Sequence, residues 1–297
     1  MRTIALLCVA TACASQPHLP EAAPATPCAA GQWPDEPVVI DVTVGSTPRR
    51  GLVWMPSGPG PHDVIVLMHE FRSEPLRTAH YTGWLGFARE KNAILLAPDG
   101  KAATWNASGC CGAASDRKID DITFLDAAVA RLDAVGCTTG RVLATGIGNG
   151  GMMAQQWACQ SEVPDAVISV GGALQVQTCP AKRPIPLVHL HGEADDFLPA
   201  SGEPGLIGFK TTPVATALEV WRARNGATAA PEVFADGDLR CEQWAGAASI
   251  TACTVAGMED LWPGAADTTV RSAHPLKDAT RGAWAWLDGR WPADAAR

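Results

Sequence analysis

One segment limits the chain more than any other: Val142-Leu143-Ala144-Thr145-Gly146-Ile147-Gly148-Asn149-Gly150-Gly151-Met152-Met153. An apolar run of buried-strand length passes through a glycine-rich turn into a helical pattern, so a strand–turn–helix unit must form here. Two chemistries use such a unit. Gly146, Gly148 and Gly151 satisfy G-x-G-x-x-G, the turn that lets a dinucleotide pyrophosphate reach a helix N-terminus. That use needs an acidic residue at the far end of the next strand to hold the ribose. The next strand ends Ser169-Val170-Gly171-Gly172 without one, and Asp165 stands at its beginning. The motif also follows several strands, where a dinucleotide fold would usually open with it. The other use is the nucleophile elbow, G-x-S-x-G, here with Gly148 in place of the serine. Glycine tolerates the strained central conformation better than any other residue, so such a turn can outlive its side chain. A glycine turn without chemistry fits the same letters.

Around this unit, short apolar runs and helical windows alternate. Val38–Val44, Leu52–Met55, Val64–His69, Ile94–Ala97, Arg141–Thr145, Ala166–Val170 and Pro186–His191 read as strands. Helical patterns cover Asp120–Val135, Asn149–Cys159, Pro213–Arg224 and Asp278–Leu287. In the first, Ile122, Phe124, Leu125, Ala128, Val129 and Leu132 form one stripe, with Asp120 or Asp121 as N-cap. Antiparallel-looking strands followed by alternating strand and helix predict an α/β fold, a mostly parallel sheet covered on both faces. One domain is expected over 37–297, preceded by a Pro- and Ala-rich tether over 13–36. Residues 1–12 read as an export signal: Arg2, an apolar run from Ile4 to Val9, then Ala10-Thr11-Ala12. With Cys13 these small residues resemble a bacterial lipobox, which would place a lipid anchor on Cys13; plain secretion is the alternative.

The chain carries 23 Lys+Arg against 31 Asp+Glu, a net charge of −8, and no basic run. That balance disfavours nucleic acid and anionic lipid surfaces as partners. Ten cysteines are many for a reducing compartment. No C-x-x-C pair or His/Cys cluster stands at zinc-ligand spacing, so disulfides are expected, with Cys159–Cys179 and Cys241–Cys253 favoured by short loop closure. No cofactor or metal is expected.

Several further motifs bear on the elbow. Val64 to His69 is a strand ending in histidine, and Leu96-Ala97-Pro98-Asp99-Gly100 is a strand ending in P-D-G. Trp105-Asn106, Cys110-Cys111-Gly112 and Asp120-Asp121-Ile122 to Leu125 follow, then Thr145 to Met153, His191-Gly192-Glu193-Ala194-Asp195 and Trp262-Pro263-Gly264. In order and spacing these resemble the polyhydroxybutyrate depolymerase and feruloyl-esterase-like branch of the α/β-hydrolases, over approximately residues 60–265. The resemblance implies an α/β-hydrolase fold and an acyl-transfer site with a nucleophile, a base, an orienting acid and an oxyanion hole.

Carried over position by position, three of those four parts are altered. Gly148 holds the nucleophile position. Asp260, two residues before Trp262, holds the general-base position, and an ordinary aspartate with a pKa of about 3.9 is a poor proton acceptor at neutral pH. Glu70 follows His69 where the resemblance implies glycine, and with Phe71 and Asn149 it belongs to the oxyanion region, where a carboxylate would repel developing negative charge. Asp195 alone is retained, as the orienting acid. Losing the nucleophile of such a triad costs on the order of a millionfold in turnover.

The expectation is therefore an esterase-type homologue without catalytic activity, able to bind a small-molecule or ester-like ligand. An active hydrolase with a rearranged site, using His274 as base or Ser73 or Ser108 as nucleophile, is one alternative; a structural or partner-binding lipoprotein is another. Trp105 and Trp262 are candidates to line a cleft. His189 and His191 alternate on one strand and read as core rather than metal ligands. If Asp195, Asp260 and Glu70 converge, they must hold a proton or recruit a cation such as calcium.

Overall fold

A computed structural model describes residues 18–19, 36–181, 183–288 and 290. The export-signal residues 1–12, Cys13 and nearly all of the 13–36 tether lie outside the described residues. Ten strands form one sheet: β1 (Val38–Val44), β2 (Thr47–Trp54), β3 (His62–Met68), β4 (Ile94–Pro98), β5 (Thr138–Ile147), β6 (Ala166–Val170), β7 (Leu187–Gly192), β8 (Glu232–Asp236), β9 (Leu239–Trp244) and β10 (Ile250–Val255). Their order is β1-β2-β4-β3-β5-β6-β7-β10-β9-β8. The six strands from β4 to β10 are parallel, and the pairs at either end are antiparallel. The inner strands are apolar on both faces, which is why β3, β4, β6 and β7 read as continuous hydrophobic runs.

Among the described residues the helices are α1 (Pro75–Tyr81), α2 (Trp84–Lys91), α3 (Gly112–Asp116), α4 (Asp121–Asp133), α5 (Asn149–Gln160), α6 (Val214–Asn225) and α7 (Arg281–Asp288). Side chains alternate across β3, so Val64, Val66 and Met68 join one core with Phe124, Leu125, Trp157 and Trp221 of α4, α5 and α6. Ile65 and Leu67 join the other, with Trp84, Phe87 and Trp284 of α2 and α7. Asp120 caps α4, accepting from Thr123 N at 3.0 Å. Its neighbour Asp121 is buried instead, bonded to Arg49 Nη2 at 2.7 Å and to Asn106 N at 2.8 Å.

Disulfides join Cys159 to Cys179 and Cys241 to Cys253, and Cys110 to the adjacent Cys111. No helix among the described residues is long and apolar enough to cross a membrane.

Candidate active site

The carboxyl ends of the parallel strands lie side by side, and β3, β5, β6, β7 and β10 each run into a residue of the same cluster, as in open α/β sheets generally. β5 runs into Gly148, which takes φ 53° and ψ −120° before α5 begins at Asn149. This is the strained centre of an elbow, at a φ that L side chains rarely adopt. Gly148 N donates to Val170 O at 2.9 Å, and Met152 N donates to Gly148 O at 2.9 Å, so sheet and helix both fix the turn. Gly150 packs directly against the backbone of Met68 and His69, leaving no room for a Cβ.

Glu70 follows the end of β3 and fills the space above Gly148. A Cβ on residue 148 would collide with Glu70 Oε1, so this carboxyl sits where an elbow side chain would stand. The loop carrying Glu70 is held by buried polar groups. His69 bonds through Nδ1 to Glu70 O at 2.8 Å and accepts from Gly100 N at Nε2, 2.9 Å away, which sets its tautomer. Burial lowers its pKa and keeps the ring neutral. Trp105 donates through Nε1 to His69 O at 2.9 Å. Asn149 clasps the Trp105 backbone from both sides, accepting at 2.7 Å and donating at 3.1 Å.

The two aspartates arrive from the other side. Asp195, in the turn after β7, accepts from Phe197 N at 3.0 Å and Leu198 N at 2.7 Å through Oδ1. Its Oδ2 accepts no hydrogen bond. His191 Nε2 lies 3.3 Å from that atom but only 2.9 Å from Leu198 O, so its proton goes to the carbonyl. Asp260 lies in the loop after β10. A Cβ placed on Gly171, at the end of β6, would be 3.1 Å from Asp260 Oδ1, 3.6 Å from Asp195 Oδ2 and 3.8 Å from Gly148 N. The three acids therefore meet at the tip of the elbow.

Three carboxyls that close cannot all be ionised. Burial, reinforced by Asp260 and Asp195, pushes the Glu70 pKa up to about 9. Burial and Asp195 push Asp260 up to about 6, against a hydrogen bond from Glu70. At neutral pH Glu70 keeps its proton and donates it to Asp260.

This corrects two expectations. Glu70 is not an ionised group at neutral pH; it is a neutral acid that fills the space over Gly148. Asp260 is not an ordinary aspartate of low pKa, because burial makes it more basic, although Glu70 occupies it.

Other expected residues fall elsewhere. Trp105 and Trp262, read as cleft candidates, are both fully buried; Trp262 donates through Nε1 to Thr280 Oγ1 at 2.9 Å. Their bulk serves the packing of loops behind the site. His274 stacks with Phe234 and Trp286, with centroids 4.6 and 5.0 Å away, and its Nδ1 accepts from Leu276 N. The Ser73 hydroxyl pairs with that of Thr78 at 3.3 Å rather than with a histidine. Ser108 has φ 59° in the loop before the Cys110–Cys111 pair. His189 and His191 are buried neighbours, Nε2 to Nδ1 3.3 Å, and His189 is pushed down to about 3 by burial and by His191. Among the described residues no group of three or more His, Cys, Asp or Glu stands in an arrangement that could hold a metal ion.

A cavity of about 310 Å³ opens over the elbow, lined by Glu70, Phe71, Ser73, Arg77, Tyr81, Asp260 and Asp267 among others. Arg77 and Tyr81, on the short α1, were not singled out from the sequence. Tyr81 is the chain's one tyrosine, a signal that names the residue but not its place.

No family model and no curated protein matches the sequence. Solved structures do match. The acetyl xylan esterase from Aspergillus awamori superposes with a TM-score of 0.53 at 13% identity, over 75% of this chain and 94% of its own. The protein pOPH does so with a TM-score of 0.52 at 16% identity, over 81% and 84%. The fold is that of the α/β-hydrolases. The identities are too low to carry more than the architecture.

Proposed function

We propose that this chain is an exported homologue of the ester hydrolases that does not use the serine route and instead binds a small molecule in the cleft over the elbow. One observation carries the reading: Gly148 offers no nucleophile, and the Glu70 carboxyl lies in the space a serine would need. The motif order favours the polyhydroxybutyrate depolymerase and feruloyl-esterase-like branch as its origin. Disulfides among the described residues support an oxidising compartment. Export through residues 1–12 and a lipid anchor on Cys13 complete the proposal, and an ester-like molecule is one candidate for the ligand.

Rebuilding the lost site tests this. Gly148→Ser alone meets Glu70, so the variant combines Gly148→Ser, Asp260→His and Glu70→Gly. The wild type is expected to hydrolyse p-nitrophenyl acetate no faster than buffer, and the triple variant to gain turnover that a fluorophosphonate abolishes. A gain of about 10² or more is in reach even of an imperfect triad beside a surviving oxyanion hole. Fluorophosphonate-sensitive turnover by the wild type would overturn the reading.

A further inference from the structure

A second cavity, of about 550 Å³, lies between the β1–β2 edge of the sheet and the start of α1. Arg50 from β2, Arg72 from the loop after β3 and Arg77 from α1 all line it. Arg72, Ser73 and Arg77 also border the cleft over Gly148, so the two spaces share one wall. Against three guanidiniums stand the carboxylates of Glu74 and Asp99, a positive balance in a chain whose net charge is −8. Arginines elsewhere are engaged: Arg49 with Asp121, Arg183 with Asp165, Arg271 with Asp238 and Arg281 with Glu90. Arg72 and Arg77 are not. Among the described residues neither pairs with a carboxylate or donates a side-chain hydrogen bond; Arg72 rests 5.0 Å from the Phe71 ring centroid, and Arg77 faces the protonated Glu70. Arg50 reaches Asp99 through one contact of 3.5 Å between side chains 72% and 38% exposed, a surface pair that a better acceptor can displace.

The backbone at Arg72 adds a second observation. Its φ of 59° is one that glycine adopts freely and an L side chain adopts under strain. The turn is locked there, because Arg72 N donates to Ala103 O at 2.8 Å and Ser73 N donates to Glu70 O at 3.0 Å. Ala103, which also lines the cavity, has φ 56°. What arginine adds over glycine at such a position is a guanidinium at the wall of both cavities. The remaining wall is apolar. Leu52 and Pro75 contribute to it, and Leu76 stands 44% exposed beside them, one of three large apolar side chains so exposed among the described residues.

We infer that this cavity binds a small alkyl carboxylate, its head held by Arg72 and Arg77 with Arg50 beside them, and its chain laid against Leu52, Pro75 and Leu76. A guanidinium meets a carboxylate in a planar two-point contact, which the two unengaged arginines lack within the fold. Apolar walls with a few charged groups, in a volume of this size, make up a small-molecule site, and a chain of about six carbons fits it. A bare anion leaves Leu76 uncovered, and an organic cation meets the guanidiniums. The site is separate from the cleft over Gly148 and needs neither that turn nor the acids around it.

The test is calorimetric titration of the full chain with sodium hexanoate at pH 7.5 and low salt. Saturable binding at one site is expected, with a Kd of about 1 mM or below. Acetate has the head without the chain, and 1-hexanol the chain without the charge; each is expected to bind about tenfold more weakly or worse. Hexyltrimethylammonium is expected not to bind. Arg72→Gln and Arg77→Gln should each weaken hexanoate by about tenfold. Arg50→Gln and Leu76→Asp alter this cavity and not the cleft over Gly148, and both should weaken it too. Arg117→Gln, which removes an exposed charge elsewhere, should leave it unchanged. No saturation up to roughly 50 mM hexanoate would overturn the inference. So would acetate or the alcohol binding as tightly as hexanoate, or indifference to the Arg72 and Arg77 substitutions. Indifference to both Arg50→Gln and Leu76→Asp would overturn it as well, by moving the ligand into the cleft over Gly148. The ligands are compared on the unmodified protein, so the outcome survives a variant that fails to fold.

Discussion

Glu70 resolves a conflict that its position creates. Beside Asp260 and Asp195 and largely buried, it stays neutral, and its proton joins the loops that follow β3 and β10. Its folded pKa of about 9 lies above the ordinary 4.5, so the folded chain holds a proton that the unfolded chain has released. Between those values the native state binds more protons, and stability falls as pH rises. Above pH 7 the buried His69 and His189, whose pKa values are lowered, have already lost theirs and no longer oppose the trend. Urea unfolding is expected to show a loss of about 2 kcal/mol between pH 7 and pH 9, following the 1.36 kcal/mol carried by each unit. Glu70→Gln should remove most of that slope; an unchanged slope would mean that Glu70 is ionised in the folded chain. At this scale the sequence was partly legible. The motifs put Gly148 just past a strand read from the sequence and Asp260 two residues before Trp262, and the fold brings these residues and Asp195 together. The seat of Glu70 could not be read, because it depends on how closely β3 and β5 lie together in the finished sheet. Trp105 and Trp262 misled for a related reason: a large aromatic beside a site motif looks the same in sequence whether its indole faces a ligand or a buried hydroxyl.

The elements that strands and helices announced by periodicity were found, and those without periodicity were not. α4 showed its stripe because it runs thirteen residues with one buried face. α1 and α2 have seven and eight residues, too short for a period to register, and α1 brings Arg77 and Tyr81 to the cavity unannounced. β8 and β9 carry Glu232, Asp236, Arg240 and Glu242 because they form the antiparallel edge, where one side meets water. β10 hides for another reason: Thr251 and Thr254 interrupt its apolar run although it is paired on both sides, with β7 and β9. Between elements, the Arg49–Asp121 bond ties β2 to the start of α4 and, through Asn106 N, to the Trp105 loop. Both side chains are nearly inaccessible, 2% and 1% exposed, so removing one partner strands the other's charge. Asp121→Ala is expected to cost about 3–5 kcal/mol in chemical denaturation. A loss below 1 kcal/mol would show that water reaches the pair.

Across the whole molecule, the α/β-hydrolase fold gathers the strand ends around a turn that carries no side chain. The six parallel strands present their carboxyl ends to one side, the turn at Gly148 bends at a positive φ, and Asp195 accepts two backbone hydrogen bonds. At that turn stand a glycine and two acids sharing one proton, Glu70 and Asp260, where serine chemistry would need a hydroxyl and an imidazole. The most direct measurement is the intact mass of the unmodified protein after prolonged exposure to a fluorophosphonate. A mass identical to that of the untreated chain is expected; a single stoichiometric adduct on a serine would reveal an activated nucleophile and contradict the loss of the serine route.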